Sequence, residues 1–394
     1  MRRVITISVL LSALGCGPVE IEADEVGLVA QQFVQSQATR RQALEDSLVT
    51  SENGYAQLRL NRYTEDGWAG LPVWNPRVQP VRQQGTVSAD AWHAIDVDAV
   101  PWDAESLRAL GEYAFFNFPG QLKPALQGAF DDPEAVGLSV DNGVIETLVW
   151  VDTEGGPQPA VTCATCHSRR DSAGTRIAGR PNARFDLGHI IDQRVGGGSQ
   201  AGLWGPGRVD VTGDGLHNPT AIPDLRPISF QTYLHRAATL HNDLTALAVR
   251  IETLMITSRR QRMRPPRKLA FAIAWYLWSL SDELSEPDWE HPGAPLFQAN
   301  CAGCHQGDRL VGDRVSLEAI GTPSAVGESP DRGTGFYRVP SLRGVGDREP
   351  LFASGTVPNL ETLLSPDREV AGHQFGLHLN ESDRALLISF LRTL

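Results

Sequence analysis

Two stretches of the 394-residue chain constrain it more than any others: VTCATCHSRR, residues 161–170, and NCAGCHQG, residues 300–307. The chain uses cysteine five times. Cys16 sits near the start, while Cys163, Cys166, Cys301 and Cys304 fall in two copies of C-x-x-C-H that end in His167 and His305. That pattern is the attachment signature of c-type haem. Two thiols with two residues between them reach neighbouring vinyl groups of a porphyrin and form a thioether with each, and the histidine that follows is placed beneath the iron. Other uses of paired cysteines explain less. Zinc-binding C-x-x-C pairs usually lie about 15–20 residues apart, far closer than these two, and zinc gives no reason for a histidine behind each. A thioredoxin-like redox pair leaves the second motif without a purpose. Two small disulfide loops leave both histidines without one. The expectation is two covalently attached haem c groups, bound by Cys163, Cys166, His167, Cys301, Cys304 and His305, with His167 and His305 as the proximal iron ligands.

The first residues, MRRVITISVLLSALGCG, combine two arginines, an apolar run from Val4 to Leu14 and small residues before Cys16. A basic start and a run too short to span a bilayer form the pattern of an export signal. The ending resembles a bacterial lipoprotein signal, in which Cys16 becomes the lipidated first residue, although Ala13 stands where leucine is usual. The chain is therefore expected beyond the inner membrane, in the periplasm or as a lipoprotein facing it. No later run is long enough to span, so the anchor at Cys16 is the expected membrane attachment. The formal charge of −12, with 47 acidic against 35 basic residues, argues against nucleic acid as a partner, because phosphate binding needs clustered positive charge. It is compatible with docking a basic redox protein such as a small cytochrome.

A chain of this length suggests more than one core. Around the motifs runs a weak internal repeat. NPTAIPDL, YLHRAATLHNDLTAL and RKLAFAIAWYLWSL follow the first; YRVPSL, PLFASGTVPNLETL and DRALLISFLRTL follow the second. Both closing segments carry apolar residues at helical spacing and read as amphipathic helices over their haems. Asn380 with Asp383 marks the start of the last one, and Pro265 and Pro266 open its counterpart. The acidic stretch 281–293 is the best linker. Expected divisions are a signal over 1–16, an N-terminal extension over 17–150 and haem domains over 151–284 and 285–394. Within the extension, residues 26–48 read as a helix and 144–151 as a strand.

The segment YRVPSLRGVG…LFASGTVPNLETLL…GHQFGLHLNESDRALLISFLRTL resembles the bacterial dihaem cytochrome c peroxidase superfamily, which includes the methylamine-pathway dihaem enzyme and dihaem rubber oxygenases. The resemblance covers residues 161–394 and leaves the first 150 aside. GAPLFQANCAGCH looks like the first helix of a class I cytochrome c. The fold implied is mainly α: two class I cytochrome-c-like haem domains with an N-terminal extension wrapped around them. One haem would receive electrons and the other, in the enzymes, react with peroxide or oxygen.

The ligand opposite each proximal histidine sets the potential and decides whether small molecules reach iron. The peroxidases place a methionine in the second domain where PLFASG puts Phe352, and no methionine follows Met263. His373, behind Gly372, is the candidate ligand of the second haem in preference to His378; related oxygenases carry a similar GH-x-[FY]-G segment. A surface histidine is the plain alternative. For the first haem the candidates are His235, His241, His189, His217, Met255 and Met263. The repeat sets His235 opposite Phe352, although a core histidine on a YLHRAATLHN helix explains it as well, and the iron is equally readable as open. DVTGDG, residues 210–215, faintly suggests a calcium loop but lacks the glutamate of an EF-hand, so an ordinary turn explains it. Trp204 reads as packing or as an electron relay between haems.

The function expected is electron transfer by an exported dihaem c-type cytochrome, with peroxidase activity at the first haem. A dihaem oxygenase and a haem-based sensor or binding module stay open. Catalytic residues are not assigned by the sequence.

Overall fold

The computed structural model describes residues 21–394, so the signal expected over 1–16 and its Cys16 lie outside the described residues. The chain enters through α1 (Val26–Gln35) and α2 (Gln37–Ser47). The single helix expected over 26–48 is broken at Ser36, whose backbone is extended and whose Oγ accepts from the Thr39 amide at 3.1 Å. Serine competes with helix continuation in this way and starts a new helix as its N-cap. Next come α3 (Gly54–Arg62) and α4 (Ala104–Asn117), capped by Asn53 and Asp103. The first C-x-x-C-H segment forms the short helix α5 (Cys163–His167), followed by α6 (Leu187–Arg194), α7 (Leu244–Ser258) and α8 (Arg267–Ser279).

One core joins α1 and α4 to α7 and α8. In α8, Leu269, Phe271 and Ile273 are fully buried, as are the alanines between them. The helix is thus not amphipathic, as its spacing predicts, but covered on nearly every side. The reason is α4, which approaches at backbone distance: a Cβ on Gly111 would lie 1.9 Å from the Ala272 carbonyl oxygen. Each large apolar side chain so buried contributes about 1.5–3 kcal/mol.

Beside this helical body lies an antiparallel sheet of β1 (Val78–Arg82), β2 (Gln121–Leu122), β3 (Val140–Asp141), β4 (Val144–Val151) and β5 (Gln158–Val161). Its order is β1-β4-β5-β2, with β3 also on β4. The strand expected over 144–151 is β4, and Ile145, Leu148 and Trp150 cover a second core with Val81, Phe130 and Phe185. Four further two-stranded ladders follow. They pair β6 (Ser168–Arg170) with β7 (Arg176–Ala178), and β8 (Arg208–Val209) with β9 (Thr220–Ala221). They also pair β10 (Tyr233–Leu234) with β11 (Leu240–His241), and β12 (Arg314–Ser316) with β13 (Phe336–Arg338).

These sheets overturn the expectation of a mainly α chain built as two class I cytochrome-c-like domains: the architecture is mixed, with helices and antiparallel sheets throughout. Apart from β4, the strands are only two to five residues long, too short to announce themselves by alternation. One particular correction concerns His235. YLHRAATLHN is no helix; it is the β10–β11 hairpin, and His235 sits in its turn at φ +62°.

The last part holds α9 (Ala294–Asn300), α10 (Leu317–Ile320), α11 (Leu360–Leu363) and α12 (Glu381–Leu391). Asn380 caps α12 by accepting from the Asp383 amide at 2.9 Å. Phe297 of α9 and Leu387 and Phe390 of α12 are fully buried in a third core. Within the acidic stretch 281–293, Glu286 is held by Arg343 at 3.0 Å. No helix among the described residues is long and apolar enough to cross a membrane.

Candidate functional site

The first motif begins where β5 ends. Thr162 caps α5 and forms a reciprocal capping box with Thr165, whose Oγ1 accepts from the Thr162 amide at 3.0 Å. Both hydroxyls then donate to the Thr147 carbonyl, at 2.8 Å from Thr162 and 2.7 Å from Thr165. Thr147 itself sits at φ +67°, an uncommon conformation for a β-branched residue, which turns its carbonyl to the helix start. One turn of helix thereby spreads the motif. Cys163 packs against the helical core and Cys166 against the sheet core.

His167 leaves this turn with Nδ1 3.0 Å from the Pro223 carbonyl oxygen. The second motif repeats the arrangement. The chain turns out of α9, the His305 amide donates to the Cys301 carbonyl at 3.0 Å, and His305 Nδ1 lies 3.0 Å from the Pro340 carbonyl oxygen. Pro223 lies in AIPDLR and Pro340 in RVPSLR, at matching places in the repeat. A carbonyl only accepts, so each bond puts the proton on Nδ1 and leaves the Nε2 lone pair free for a metal. Burial pushes both imidazoles down to about 4, so they are neutral at pH 7. Burial also pushes the thiols up, to about 11 for Cys163 and about 12 for Cys166 and Cys301. Protonated thiols in dry surroundings suit thioether formation better than a thiolate metal site. Among the described residues no group of three or more His, Cys, Asp and Glu side chains converges on a metal position.

The second motif opens onto an apolar cavity of about 400 Å³ lined by Cys301, Cys304, His305, Phe352, Leu360 and His373. The structure brings His373 to the same cavity as His305. Its loop crosses α10 so closely that a Cβ on Gly372 would lie 2.3 Å from the Gly321 carbonyl carbon, and the His373 amide donates to the Ile320 carbonyl at 2.8 Å. Arg368 holds the Gly372 and His373 carbonyls from the other side. The His373 Nδ1 is buried with no partner. Phe352, at φ +65°, sets its ring 6.1 Å from that of His373.

At the first motif the surroundings differ. His235 is half-buried and edge-on to Tyr55, with ring centroids 4.9 Å apart. Its Nε2 accepts from Arg250 Nε at 2.7 Å, and its Nδ1 has no partner. Burial, then the charges of Arg250, Arg332, Arg59 and Arg338, holds it well below the usual histidine range. Arg250 also bears on His167 and Cys163. Arg250 thus bears electrostatically on both His235 and the first motif, and the His235 Nε2 lone pair is already engaged. Of the other candidates, His189, His217, His241 and His378 are exposed, Met263 is at the surface, and Met255 lies in the helical core.

Sequence reasoning did not find the arginines. Asp224, next to Pro223, is buried and held by Arg226 at 2.7 Å and Arg348 at 3.5 Å. Arg226 reaches Asp347 at 2.5 Å, and Arg180 reaches it at 3.1 Å. Arg236, Arg338 and Arg348 line the second cavity. Only the PDLR and PSLR pair hinted at this cluster. In DVTGDG, Asp210 and Asp214 both accept from the Thr212 hydroxyl, at 2.7 and 3.1 Å, so the loop is closed by its own hydrogen bonds. Trp204 packs over Gly188 of α6.

No protein-family model matches the chain, and no curated protein does. A solved structure described as a MauG-like protein associated with microbial copper homeostasis is similar at 15% identity, over 82% of this chain and 94% of that one, with a TM-score of 0.36.

The residues present fit a c-type haem at each motif. The donor set is two thiols and a neutral imidazole with Nε2 free, and at the second motif an apolar cavity adjoins it.

Proposed function

We propose that this protein is a two-haem c-type redox protein that passes electrons between partners, and that a small oxidant such as peroxide reacts at its first site. The observation that carries the two-haem reading is the twofold use of one device: His167 on the Pro223 carbonyl and His305 on the Pro340 carbonyl, each at 3.0 Å behind a C-x-x-C. A covalently held haem supplies reversible one-electron chemistry and, where a coordination position is open, reaction with small oxidants.

The chain's own residues divide that work. Cys163, Cys166, Cys301 and Cys304 tether the groups, and the two prolyl carbonyls orient the proximal imidazoles. His373, at the same cavity as His305, would be a further ligand for a haem held there, which would favour pure electron transfer. At the first site Arg250 occupies His235 Nε2, so the His235 proton sits on Nδ1. A buried proton donor without a protein acceptor, beside an arginine, suits a small polar oxidant. This favours peroxide chemistry over a closed, bis-histidine first site. The basic start of the sequence and Cys16 support export and a lipid anchor, and the charge of −12 supports a basic small cytochrome as partner.

Haem staining of a denaturing gel and quantitation per chain test the first claim: two haems per chain are expected, and a blank gel overturns it. Carbon monoxide and peroxide added to the loaded protein test the second. One responsive haem supports it; two inert low-spin haems reduce the reading to electron transfer. Carbon monoxide binding without peroxide turnover points to a sensor, and oxygen consumption with substrate oxidation to an oxygenase.

A further inference from the structure

A buried guanidinium stays charged and needs a counter-charge. Around Asp224 the described carboxylates are already committed. Asp224 serves Arg226 and Arg348, and Asp347 serves Arg226 and Arg180. Two arginines of the second cavity remain. Arg236 has a single contact from Nη2 to the Ala221 carbonyl at 3.3 Å, and its Nε is buried with no partner. Arg338 has one bond, from Nη1 to the Tyr233 carbonyl at 3.0 Å. Neither has a carboxylate within ion-pair distance among the described residues, and both line the cavity that Cys301, Cys304 and His305 share.

Backbone carbonyls carry only partial charge, so two half-buried guanidinium groups held by them alone lack the counter-charge that an anion would supply. The cavity is otherwise apolar, so the anion has to belong to a guest that is apolar over most of its surface and carboxylated at one edge. A porphyrin has that shape: its two propionates leave one edge of the ring.

We propose that Arg236 and Arg338 form the anion-binding edge of the second site and hold the propionate carboxylates of the haem tethered by Cys301 and Cys304. This rests on the haem reading above. Planar guanidinium forks match carboxylates two bonds at a time, which fixes the rotation of the ring that the thioethers and His305 leave partly free. Arg236 and Arg338 are positioning residues; they touch the periphery of the group.

The test uses the haem-loaded full chain with Arg236→Gln, Arg338→Gln and the matching lysine variants. Both glutamine variants are expected to keep full haem staining, since attachment is covalent, while the midpoint potential of one haem moves downward. A positive charge beside a haem favours the reduced state, so its loss favours the oxidised one. The lysine variants are expected to recover most of that shift. Unchanged potentials in stained Arg338→Gln and Arg236→Gln protein overturn the proposal. So does a wild-type potential that varies with phosphate at fixed ionic strength, because the anion is then one from solvent. If Arg236→Gln fails to accumulate, Arg338→Gln decides alone, since it gives up one backbone bond. A wild-type chain that does not stain fails the haem reading itself, a result distinct from stained variants with unmoved potentials.

Discussion

Arg250 Nε donates to His235 Nε2 across 2.7 Å, and that bond separates the two sites. His373 and His235 each have a buried Nδ1 with no partner, but only His235 has its Nε2 tied up by an arginine. Releasing it is expected to close the first site. In Arg250→Met the wild-type carbon-monoxide response of the first haem should be lost as His235 becomes free to ligate, read as a shift to a fully low-spin spectrum. A response equal to wild type excludes the proposed role of Arg250.

His373→Ala should convert one low-spin haem to high-spin without reducing haem content. Absorption and electron paramagnetic resonance spectra check this, and an unaltered spin state removes His373 as a ligand. His378→Ala, at an exposed position, should leave the spectrum as it was.

Thr165→Val should weaken the first motif locally. It leaves the Thr162 amide and part of the Thr147 carbonyl without their hydroxyl partner in a site where Thr165 is 1% exposed. A loss of about 1–3 kcal/mol is expected in denaturant unfolding, with slower haem attachment in maturation assays. An unfolding midpoint equal to wild type would show that the capping box contributes nothing.

Asp224 gives the fold a pH dependence of known sign. Burial alone would raise its pKa, but Arg226 and Arg348 hold the carboxyl below its usual value. A folded pKa below the unfolded value of about 3.9 means that its stabilisation is complete above roughly pH 4 and fades as pH falls below that. Asp224→Asn should lower stability at pH 7 by about 3–5 kcal/mol, because buried arginines lose their partner. The difference from wild type should shrink on acidification. Thermal unfolding between pH 3 and 7 measures both, and parallel curves would reject the assignment.

The strand over 144–151 and the capped final helix were legible because each is specified by neighbours in sequence. The same is not true of YLHRAATLHN, which has helical composition but is held as a hairpin at φ +62° by contacts with Tyr55 and Arg250. The mainly α expectation failed for a related reason. Strands of two or three residues, such as β8 through β11, leave no periodic trace and exist only where a partner pairs with them.

By itself the sequence determined where thiol, thiol and imidazole meet, since a C-x-x-C-H fits within about one helical turn and needs no distant residue to make its geometry. Only the tertiary structure decided what surrounds each motif: the prolyl carbonyls behind His167 and His305, the arginine on His235 and the unpaired guanidinium groups at the second cavity. Arg250 lies 15 residues from His235, Pro340 lies 35 from His305 and Pro223 lies 56 from His167 along the chain. Contacts of that range depend on how loops close and cores pack, and local spacing does not encode them.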